Sequence, residues 1–402
     1  MALSNDTPHR RPFAQLLGLL STLAGIMVAA GGVVLAILLV LSTELRDSET
    51  GISGAVLSQA IAVGGLGLCL GAILIAEGIR RRRGTPSATF YPRWSGWLWL
   101  AFALFLVAGT VASLLGPPPL LMAFLHTLTL LLLPALVLTL VGHGLRGRGV
   151  SWSDVNSGLL AGALAGTGIA LVVEVMMVVF LAIGLFALGL LPQEWLRQAP
   201  QVLATGEIPS LTKIEDLLDG LTPSLVLIGL LVVGGLVPLI EEVTKTLGVG
   251  LAGAWLRPSP ARAFLLGVAS GAGFALAENI LNGFFVGPTW GPGVLARLAA
   301  TVMHCATGGL MGWGWGQWWT GRPWRLPLAF VGAVTLHSLW NSCAAGLVLL
   351  GLSVLTRADD LVWTGVAGLL MLTLLGLLFL LACAVAAALL WASHRLGRSS
   401  SA

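Results

Sequence analysis

Charge is what this sequence has least of: 9% of its 402 residues are charged, against about a quarter in ordinary soluble domains. Long polar stretches are missing as well. Apolar runs exceeding the roughly 20 residues that cross a bilayer recur along the whole chain, which excludes a soluble core and leaves no room for a sizeable soluble domain. Cysteine is scarce. Cys69, Cys305, Cys343 and Cys383 all fall inside apolar segments and no CxxC occurs, which excludes a disulfide framework and leaves them as small buried residues. The net charge of +4 does not point to nucleic acid, because the basic residues are confined to short segments between apolar runs.

What is present is a run of spans. Hydropathy against polar breaks predicts an all-α, polytopic transmembrane bundle of about ten helices, near 13–43, 53–79, 94–115, 120–142, 158–191, 222–256, 263–285, 294–319, 327–355 and 361–393. The segments between them alternate in charge. Fifteen of the 21 basic residues fall in one set, including Arg80 to Arg83, Arg257, Arg262, Arg322 and Arg325. The other set holds four basic residues and ten acidic ones. The positive-inside rule then puts both termini in the cytoplasm of a multi-pass cell-membrane protein, with the bilayer as its first partner and no nucleic acid. The first apolar run reads as an uncleaved signal anchor. The segment 192–221 becomes the large external loop, with an interfacial helix expected in SLTKIEDLLDGL. The chain divides into a four-span region of unknown role (1–150), a core (151–355) and a last span with a short tail (356–402).

A charged side chain at mid-membrane costs roughly 2.5–3.5 kcal/mol on insertion scales, so each ionisable residue deep in a span needs a reason. Span two has Glu77 at its edge, span four His126 and span five Glu174, each alone and each readable as a packing contact. Spans six to nine differ. They carry Glu241, Glu242 and Lys245; Glu278; Arg297 and His304; and His337 with Asn341. Counted from the cytoplasmic ends, Glu241, Glu278 and His304 lie about 16 residues deep, His337 about 11 and Asn341 about 15, which is one slab at 1.5 Å per residue. Glu241 and Lys245 stand four apart on one face in the favourable order for an ion pair, while Glu242 points about 100° away. Pro238 removes a backbone bond just before them. Arg297, near the outer end of its span, is able to snorkel. Three glutamates against one lysine leave two negative charges that protonation, histidinium or a bound cation must offset. Such a cluster suits general acid–base chemistry. An ion- or proton-coupled transporter also needs mid-membrane carboxylates, and a non-catalytic scaffold or simple interhelical hydrogen bonding are the remaining readings.

The motifs EExxK (Glu241, Glu242, Lys245), FxxxE (Phe274, Glu278), a histidine in the next span (His304) and HxxxN (His337, Asn341) occur in order on four consecutive spans. Together they resemble the PrsW family of bacterial intramembrane proteases, itself similar to the broader CAAX prenyl protease and bacteriocin-processing group. The resemblance implies hydrolysis of a membrane-spanning or membrane-associated protein, as in site-1 cleavage of anti-sigma factors. It implies Glu241 or Glu242 as general base, with the other positioned by Lys245. His304 and His337 would orient water or polarise the carbonyl, and Asn341 would donate to the oxyanion. The family is often labelled metalloprotease, and His304, His337 and Glu278 would then hold a divalent metal such as zinc. No HExxH is present, and a metal-free glutamate mechanism is argued for the related prenyl proteases, which tips the expectation to a site without metal.

Overall fold

The computed structural model describes residues 10–44, 54–116, 118–145, 150–191, 222–282, 287–357 and 359–398. In lipid every backbone polar group must be satisfied within the chain, so the apolar runs close into helices. These are α1 (Arg10–Glu44), α2 (Gly54–Arg83), α3 (Ser95–Leu115) and α4 (Pro119–Gly144). Next, α5 (Trp152–Leu160) runs through a π turn (Ala161–Gly166) into α6 (Thr167–Ala187), and α7 (Pro223–Leu231) through a second π turn (Val232–Leu236) into α8 (Val237–Leu256). The chain continues as α9 (Pro260–Asn282), α10 (Trp290–Trp319), α11 (Arg325–Thr356) and α12 (Leu361–Arg398). Among the described residues the β structure is limited to an isolated bridge between Thr89 and Ser151.

With α5–α6 and α7–α8 each forming one span, ten helices among the described residues are long and apolar enough to cross a membrane, matching the expected number in an all-α multi-pass membrane protein. Span five begins at Trp152, six residues before hydropathy placed it. The cause is local. Ser151 caps α5 through Asp154 N–H, and Asp154 reaches back to the Ser151 N–H, so a capping box starts the helix within polar sequence. The segment 192–221, with its expected interfacial helix, lies outside the described residues.

The centre of the bundle is α9. Every residue from 263 to 277 is buried, which a helix rich in alanine and glycine achieves by letting neighbours approach closely. A methyl group on Gly271 would run into the His304 carbonyl of α10, and one on Gly267 into the Gly308 carbonyl. On the other side, the stripe Gly158, Gly162, Gly166 lies against α9 and α8. A Cβ on Gly158 would come 2.8 Å from Ala269 Cβ, and one on Gly166 3.0 Å from Lys245 Cα.

The first four spans are joined to this core. Trp290, Ile280 and Val294 cluster with Ala62, Phe102, Leu130, Leu133 and Leu136. Glu77 of α2 accepts hydrogen bonds from Arg80 (2.8 Å), Ser153 (2.9 Å) and Asn156 (2.9 Å), and Asp154 pairs with Arg262 of α9 at 2.6 Å. Glu77 therefore has a structural task at the predicted cytoplasmic end of α2.

Candidate active site

Six of the seven expected residues meet between α8, α9, α10 and α11. Lys245 and Glu242 are fully buried, and Lys245 Nζ donates to Glu242 Oε1 at 2.7 Å and to His304 Nδ1 at 2.8 Å. Glu242 Oε1 also accepts from His337 Nδ1 at 2.8 Å. The ion pair expected between Lys245 and Glu241 is thus made with Glu242. Positions three and four apart are both within reach on a helix, and the choice falls to the surroundings: His304 and the face of Phe274, whose ring centroid is 4.9 Å from Nζ, draw the ammonium to that side. Ser270 fixes the same turn from α9 by donating to the Lys245 carbonyl.

These contacts assign the protons. An ammonium only donates, so His304 Nδ1 accepts and Nε2 carries the hydrogen, 2.6 Å from Glu278 Oε2. A carboxylate only accepts, so His337 Nδ1 carries the hydrogen, and in the neutral imidazole Nε2 presents a lone pair. That lone pair faces Glu241 Oε2 at 3.6 Å. Glu241 is 8% exposed, and its Oε2 is buried with no hydrogen-bond partner. The two imidazoles pack edge to face, 4.9 Å between centroids.

Two acceptors facing each other call for donors or a cation between them. Donor atoms of Glu241, His304 and His337 lie within 4.8 Å of one another. His337 is already oriented by a carboxylate on its far nitrogen, as metal-binding histidines are. This set of two imidazoles and one carboxylate fits a divalent metal of the zinc type. His304 fits less simply, since Lys245 and Glu278 engage both its nitrogens. The carboxylate of the converging trio is Glu241, where Glu278 was expected. Glu278 is held instead by His304 and by Arg297 Nη2 at 3.2 Å.

Asn341 stands apart. Its amide donates to the Val233 carbonyl, 3.2 Å away, within the second π turn. The extra residue of a π turn and the missing N–H of Pro238 both disturb the carbonyl ladder there, and Asn341 satisfies one of the groups involved. Other polar residues lie around the site that the sequence did not place in it. Asn279 and Thr301 are fully buried beside Glu278. Glu174 lies on the half-buried stripe of α6 with Met177 and Leu181, and its Oε1 is buried without a hydrogen-bond partner. The only sequence signal for these was a polar side chain in an apolar span.

No curated protein and no solved structure matches this chain. A family model does: residues 214–378, which contain all seven expected site residues, are similar to the family described as PrsW family intramembrane metalloprotease.

Proposed function

We propose that this chain is an intramembrane protease that hydrolyses a peptide bond of a membrane-spanning or membrane-associated protein, with Glu241 and His337 as its water-activating pair. The observation that carries the reading is the pair of facing acceptors, Glu241 Oε2 and His337 Nε2, 3.6 Å apart with no hydrogen bond to Glu241 Oε2. Water held there gives a proton to Glu241 as its oxygen adds to the scissile carbonyl carbon. The C–N bond then breaks as that proton passes to the departing amine nitrogen. Glu242 keeps His337 in the tautomer whose Nε2 is free, and Lys245 neutralises Glu242. His304, engaged by Lys245 and Glu278, packs edge to face against His337 and keeps that ring in place. Asn341 steadies the turn before Pro238.

A second reading rests on the converging trio. A divalent cation such as zinc, held by Glu241, His304 and His337, would supply a bound water acidic near neutral pH and polarise the carbonyl. Both uses of His337 Nε2 need the same orientation by Glu242. The resemblance implies cleavage of a membrane-associated protein, as in site-1 cleavage of an anti-sigma factor.

The test is turnover of a panel of single-span substrates by purified protein, wild type beside Glu241→Gln, with metal content measured on the same samples. Glu241→Gln should lower turnover at least about a hundredfold while the melting temperature is kept. Cleavage undiminished by Glu241→Gln removes the residue from the reaction. Wild-type protein that cuts nothing, while carrying ions or protons in liposomes, favours the transporter. One equivalent of divalent metal, lost in His337→Gln, selects the metal-bearing reading.

A further inference from the structure

Arg297 was expected near the outer end of its span, free to turn toward the lipid headgroups. It turns inward. Its side chain is 14% exposed, Nη2 lies 3.2 Å from Glu278 Oε1, and Nε donates to Asn279 Oδ1 at 2.6 Å. Asn279 Nδ2 donates to Thr301 Oγ1 at 3.0 Å, and that hydroxyl donates to the Arg297 carbonyl at 2.8 Å. The circuit closes over α9 and α10 and leaves the guanidinium one orientation.

A carboxylate held at a single oxygen swings about its side-chain bonds. Glu278 is held at both: Oε1 by Arg297, Oε2 by His304. Fixing Oε1 aims Oε2 at His304 Nε2, which keeps the hydrogen on that nitrogen and the Nδ1 lone pair toward Lys245. A clamp between α9 and α10 is the plainer role for such a circuit, but the close glycine contacts of Gly267, Gly271 and Gly308 already join these helices. An arginine inside a membrane span is costly, so a redundant clamp is poor reason to keep one.

We infer that Arg297 and Asn279 are a positioning pair: they hold Glu278 in the orientation that sets the tautomer of His304. The inference rests on the protease reading for its effect on rate, though not for its effect on His304. The experiment has two readouts on purified Arg297→Gln, Arg297→Lys and Asn279→Ala. The first is steady-state cleavage of a single-span substrate. The second is the ¹⁵N spectrum of protein labelled in its histidine rings, with the His304 signals identified by their loss in His304→Gln. Arg297→Gln should lower kcat about 10- to 100-fold with KM within about twofold, and should move the His304 Nε2 resonance away from a hydrogen-bonded N–H. Arg297→Lys, which keeps the charge without the fork, should lie between. If wild type cuts nothing, the protease reading fails while the His304 resonance still tests the pair. An unmoved His304 resonance overturns the inference whatever the rate does. Loss of fold in all three variants overturns it too, since the pair would then be the clamp.

Discussion

Adjacent carboxylates about 100° apart around a helix meet different surroundings. Glu242 Oε1 receives Lys245 at 2.7 Å and His337 at 2.8 Å, while Glu241 Oε2 accepts no hydrogen bond. The two glutamine variants should therefore fail differently. Glu242→Gln leaves a fully buried ammonium without its counter-charge, a loss of about 3–5 kcal/mol, so it should melt well below wild type and also lose activity. Glu241→Gln should lose activity alone. Thermal unfolding of both proteins in one detergent checks this, and equal melting temperatures would refute the division of labour. The cluster itself was legible in the sequence, because ionisable residues stand out in apolar spans. Its wiring was not. Spacing admits a lysine partner three or four residues away and cannot rank them, and the choice of Glu242 was made by Phe274 and His304 from other helices. Asn279 carries no charge, and Arg297 close to a span end has an exit to water that the sequence alone cannot close. Glu174 read as a packing contact, yet its Oε1 is buried without a hydrogen-bond partner.

At the scale of helices, glycine sets the distance between site residues on different elements. Gly271 of α9 lies against the His304 carbonyl, so a methyl there must push α10, and the imidazole with it, away from Glu278. Gly271→Ala should cost about 1–3 kcal/mol by overpacking and should depress turnover. Gly168→Ala on α6, where a Cβ meets open space, should do neither. Chemical unfolding and cleavage measured side by side make the comparison, and a neutral Gly271→Ala would show that α10 is free to yield. Span positions were readable from hydropathy to within several residues, since length and apolarity are what a bilayer selects. The π turns were not. An i→i+5 turn keeps the hydropathy of an α-helix, and its nearest cues, Gly234 with Gly235 and the following Pro238, equally suit a simple kink.

For the whole molecule, orientation follows from charge. With Arg80 to Arg83 at the end of α2 and Arg257, Arg262, Arg322 and Arg325 between later spans, both termini are expected on the cytoplasmic side. Single cysteines placed in a cysteine-free background should be sealed from impermeant reagents in intact cells near Arg82, and labelled within 192–221. Outside labelling near Arg82 would invert the molecule and place the site near the opposite leaflet. The Lys245–Glu242 pair has a bearing on biogenesis as well. A lysine entering the bilayer alone meets a penalty of roughly 2.5–3.5 kcal/mol, and α8 leaves the ribosome before α9, α10 and α11 exist. Its counter-charge is on the same helix, three residues away. The pair can thus partition as a neutral unit beside Glu241, with His304 and His337 joining as later spans arrive. The order of synthesis builds the cluster outward from a pair that needed no other helix to neutralise it.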